Sequence, residues 1–107
     1  MSAALILVVA LAATQPNAKT DEMIDKSGTC YNVFTRGLID QADAATRDRL
    51  VGLQTKARAA HAQATGKTGE ALTVSLSEWD GRLREKMKTG LSLDQYLMIC
   101  TRVFGAP

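Results

Sequence analysis

Reactive chemistry in this chain would have to start from a short roster of side chains, and their spacing restricts what they can do. There is one histidine, His61, and there are two cysteines, Cys30 in "SGTCYNVF" and Cys100 at the end of "GLSLDQYLMIC". Nucleophilic catalysis needs a base poised beside a serine or thiol. His61 instead sits on an alanine-rich helical face, where a packing or boundary role competes with that of a proton switch or ligand. A zinc shell is not supported, because there is no CxxC spacing and a lone histidine cannot complete one. Covalent haem attachment would need CxxCH, which is absent, so the only haem chemistry left open is a non-covalent b-type group held by His61 and a methionine. Asp21, Glu22 and Asp25 crowd a helix start, where acids complement the helix dipole and need no catalytic explanation. The "TGKTG" loop at Thr65 to Gly69 lacks the spacing and the preceding strand of a phosphate-binding loop. The expectation is a protein that is not an enzyme and carries no metal or cofactor.

The cysteines acquire a compartment from the N-terminal residues. Met1 to Ala18 carries no charge, and all 13 Lys and Arg and all 11 Asp and Glu follow from Lys19 onward. The apolar run Ala3 to Ala13 has the length of a signal-peptide core and falls short of the about 20 residues that span a bilayer. Residues 1–18 are therefore expected to be a signal peptide, with Ala12, Ala13 or Ala18 at the cleavage site, and residues 19–107 a single helical domain in the periplasm or secreted. No Lys or Arg precedes the apolar run, so the competing reading is an uncleaved apolar helix packed on the domain. In an exported chain an even pair of cysteines reads as a disulfide, Cys30 to Cys100; in a cytosolic one it reads as two buried thiols. The bridge would close a loop of about 70 residues, which the chain-entropy model values at about 4 kcal/mol.

Helices must bring those cysteines together, because helical periodicity runs almost throughout and no strand alternation competes with it. A first segment, Asp21 to Gln41, aligns Met23, Cys30, Phe34 and Leu38 on one stripe, with Gly28 and Gly37 as expected points of weakness or kinking. A second, Ala44 to Ala64, is capped by Asp43 or Thr46, stops at Gly66, and turns Leu50, Leu53, Ala57, His61 and Ala64 inward. A third, Glu70 to Lys88, is the clearest amphipathic helix: Leu72, Leu76, Trp79, Leu83 and Met87 recur at four, three, four and four. Trp79, at the centre of that stripe, is expected to anchor the core, while Glu78 with Arg82 and Asp80 with Arg84 form four-apart pairs outside. A fourth begins at Leu93 behind the capping box Ser92 to Gln95, aligns Leu93, Leu97, Cys100 and Phe104, and stops near Gly105. The expected fold is all-α: a small bundle of three to four helices tied by one disulfide between the first and last, with a core of Phe34, Leu53, Leu76, Trp79, Leu83, Leu97 and Phe104.

The cluster Arg82, Arg84, Lys86 and Lys88 complements a helix C-terminus, and with a net charge of only +2 it does not argue for nucleic acid or for a membrane-inserted chain. "LSLDQ", Leu91 to Gln95, resembles the LTxxQ motif of small helical periplasmic stress chaperones, with serine in place of threonine, in a single copy and with a cysteine pair those chaperones lack. A short exported helical chain whose first "TC" and last "CT" could be bridged is also similar to periplasmic acid-stress chaperones and to small periplasmic immunity proteins. Both comparisons imply a protein that works by binding another protein, as an inhibitor or a holdase. The alternative from another class is a b-type haem or small-ligand carrier of four-helix-bundle type.

Overall fold

In the structure, a computed structural model, residues 18–40 and 43–105 are described. They form α1 (Ala18–Ile39), α2 (Ala44–Thr65), α3 (Gly69–Thr89) and α4 (Leu93–Gly105), with no strand among them. The expected signal peptide, apart from its last residue, lies outside the described residues.

Local signals set the helix ends. Asp43, in extended conformation, accepts a hydrogen bond from the Thr46 amide at 2.9 Å, which satisfies one of the donors a helix start leaves unpaired. Gly66 closes α2 with φ of 71°, a left-handed conformation that only glycine takes without penalty, and its amide donates to the Ala62 carbonyl. At α4 the capping box is reciprocal: the Ser92 amide donates to Gln95 Oε1 at 2.9 Å and the Gln95 amide to Ser92 Oγ at 3.3 Å.

The fold is an all-α bundle organised around α1, which packs on each of the other three helices. Its core cluster joins Cys30, Val33 and Phe34 of α1 to Leu50, Leu53 and Ala57 of α2, Leu83 of α3 and Cys100 of α4. The Cys30–Cys100 disulfide links the first and last helices across 70 residues, with Cα atoms 5.4 Å apart. Phe34 and Phe104 meet edge to face at 6.4 Å beside it. Of the residues expected in the core, Phe34, Leu53, Leu76 and Leu83 are buried, and Leu97 and Phe104 are half-buried against the cluster.

Three expectations change. The first helix does not break at its glycines, because both are points of close approach: a Cβ at Gly28 would lie 2.5 Å from Trp79 Cγ, and one at Gly37 would lie 3.0 Å from a Leu97 methyl. Trp79 is half-buried rather than central. α3 meets the interior through Leu76 and Leu83, so Trp79 falls on the flank of the stripe, its ring laid against Gly28 of α1. Arg82 covers that ring at 4.3 Å from its centroid and Lys86 lies at 5.9 Å, so Arg82 forms a cation–π contact in place of the expected pair with Glu78.

Candidate binding groove

Two polar constructions occupy the space where α1, α2 and α3 meet. The first is closed. His61 is fully buried; its Nδ1 lies 2.9 Å from Ser27 Oγ of α1 and its Nε2 lies 2.8 Å from Ser75 Oγ of α3. Ser27 Oγ donates to the Met23 carbonyl at 2.6 Å, so Nδ1 carries the ring proton towards Ser27, and Ser75 donates to the bare Nε2. The neutral imidazole is thereby a peg joining three helices. Burial holds its pKa below the ordinary 6.5; the Ile24 carbonyl partly counters this, and the charge of Lys67 adds to it. With both ring nitrogens hydrogen-bonded inside the core, His61 has no lone pair turned to an open cavity for an iron ligand.

The second construction is open. α2 and α3 wall a groove that α1 floors, with a volume of about 410 Å³. Tyr31, Asn32, Thr35, Arg36 and Ile39 come from α1, Arg58 from α2, and Thr73, Leu76, Ser77 and Asp80 from α3. The α3 wall is pinned to the floor. Arg36 Nε and Nη2 donate to Asp80 Oδ1 at 3.1 and 2.9 Å, and Asn32 Nδ2 donates to the Leu76 and Gly28 carbonyls at 2.8 Å each. The α2 wall is pinned by Gln54 Nε2, which donates to Thr35 Oγ1 at 2.8 Å. Asp80 also faces Arg84 at 3.7 Å. By contrast, the Tyr31 hydroxyl, the Ser77 hydroxyl and the Arg58 guanidinium have no partner among the described residues. Ligand sites commonly have this composition: apolar surface, a rigid frame and a few polar groups left without internal partners.

None of these groove residues was singled out in the sequence except Leu76, placed in the core, and Asp80, placed in an outward pair with Arg84. The Arg36–Asp80 contact joins positions 44 apart, which no spacing rule reaches. Ser27 left a readable trace: it falls on the inward stripe between Met23 and Cys30. Among the described residues no group of His, Cys, Asp or Glu is arranged to hold a metal ion, and no helix is long and apolar enough to cross a membrane. No protein-family model, curated protein or solved structure matches the chain.

Proposed function

We propose that the chain is an exported helical module that binds another protein through the groove between α2 and α3, as a small inhibitor or immunity-type protein does. The observation that carries this reading is the groove itself: a braced frame around Tyr31 and Arg58, whose polar groups have no partner among the described residues. A rigid site with few placed polar groups suits a defined partner, because pre-organisation lowers the entropic cost of association. Export is supported by the Cys30–Cys100 bridge and by the charge-free residues ahead of Lys19.

A second reading, a holdase for unfolded chains, draws on α4. Met98, Ile99 and Val103 are 57%, 44% and 39% exposed on that helix, and exposed apolar side chains are what unfolded clients adhere to. The carrier alternative has less support, since both His61 nitrogens are already engaged. A photo-crosslinking residue at Tyr31, compared with one at Met98, separates the first two. The inhibitor reading expects one discrete adduct at Tyr31 from the native compartment, and the holdase reading expects many adducts at Met98. A Soret band in protein purified from that compartment would overturn both.

A further inference from the structure

Charge in the groove is unevenly neutralised. Asp80, its one carboxylate, is committed on both oxygens: Oδ1 accepts two hydrogen bonds from Arg36, and Oδ2 faces Arg84. Arg58, half-buried on the opposite wall, has no carboxylate partner among the described residues. The hydroxyls of Tyr31 and Ser77 in the same groove can each donate one further hydrogen bond. A guanidinium pairs best with a planar carboxylate, and flanking hydroxyls raise the number of hydrogen bonds that carboxylate receives. Beside these groups lie Leu76 in the α3 wall and Ile39 in the floor, 75% exposed.

We infer that the groove takes an acidic segment of a partner protein, an Asp or Glu side chain set against Arg58 with an adjoining aliphatic side chain over Ile39 and Leu76. This rests on the reading of the chain as a protein-binding module and names the chemistry of its partner. A phosphate chain fits less well. Nucleic acid binding draws on several phosphate-neutralising cations, whereas this groove offers a single unpaired guanidinium and keeps the Asp80 carboxylate in its wall. Pairing at a desolvated site also gives selectivity, because a neutral or basic segment would leave Arg58 covered and unpaired.

The test uses the oxidised protein and two blocked peptides, one of repeating Leu-Glu-Ala-Ala and one with Gln in place of Glu, titrated while backbone amide resonances are recorded. The Glu peptide is expected to shift the resonances of Tyr31, Arg58 and Ser77 and the Gln peptide to leave them in place. Arg58→Glu should weaken the Glu peptide by at least about tenfold, equivalent to about 1.4 kcal/mol. Arg102→Glu, the same charge change on α4, should leave affinity within about threefold, which excludes a general effect of net charge. Arg58→Gln is titrated in parallel, so that a folding defect in the charge-reversed variant does not decide the result. Equal binding of both peptides, equal loss in the Arg102 variant, or stronger binding of inorganic polyphosphate at the same residues would overturn the inference. Failure of the Glu peptide with the Tyr31 crosslink intact would overturn the acidic partner and leave the binding module standing; peptide binding with no crosslinked partner would do the reverse.

Discussion

At the scale of single residues, His61 shows how a titratable group can serve structure. Its neutral ring accepts from Ser75 and donates to Ser27, and protonation would place a charge where burial already disfavours one. Because the folded pKa is depressed below 6.5, the unfolded chain takes up the proton first. The stability that His61 contributes is therefore complete above pH 6.5 and declines as pH falls through the folded value. Glu22 and Asp43, lowered by the Lys26 ammonium and by the Thr46 hydroxyl and amide, act only below their ordinary 4.5 and 3.8, so the windows separate. Urea midpoints taken between pH 7 and 5 should fall for the native chain and stay nearly level for His61→Gln, which still hydrogen-bonds. Parallel curves for the two proteins would show that His61 does not carry the dependence. The sequence placed His61 on an inward face; its serine partners come from α1 and α3, beyond the reach of any local pattern.

At the scale of helices, whatever is written in a single turn was legible and whatever depends on how two helices cross was not. Asp43, Gly66 and the Ser92–Gln95 box could be read because a cap satisfies its own backbone within four residues. The stripe of α3 was equally clear, yet its period does not say which flank the neighbours cover, so Trp79 was placed at the centre and stands at the edge. The same limit applied to Gly28, where a chain-breaking residue in the sequence is a docking surface in the fold. Gly28→Ala tests this. In an open helix the change gains about 1 kcal/mol from propensity, but here the new Cβ would meet the stem of the indole, and overpacking of this kind costs about 1–3 kcal/mol. Gly28→Ala should thus destabilise the native chain, whereas in a Trp79→Ala background it should be neutral or stabilising. Additive effects of the two changes in denaturant titrations would mean that the ring does not bear on Gly28.

At the scale of the whole molecule, the cysteine pair was the one long-range contact the sequence could supply, because expected export, parity and two inward stripes all led to Cys30 and Cys100. The groove was beyond such reasoning, since its walls come from α2 and α3 and its floor from α1, elements that only tertiary packing brings together. The bridge also divides the bundle into unequal parts. α4 has 13 residues, a length at which an isolated helix is marginal in water, and it is held by Cys100, by Phe104 against Phe34 and by Leu97 against Gly37. α1 and α2, with 22 residues each, share the more extensive interface. Replacing both cysteines by serine should therefore lower stability by about 2–4 kcal/mol in denaturant titrations, mainly by freeing the unfolded chain from a closed loop. The loss should also be uneven, because a short terminal helix without its covalent tie opens locally before the whole fold does. Amide exchange in α4 should accelerate by at least about tenfold more than in α1 and α2, equivalent to about 1.4 kcal/mol of local stability. Uniform acceleration across all four helices would instead mean that the bundle opens only as a unit, with α4 as much a part of its cooperative core as α1.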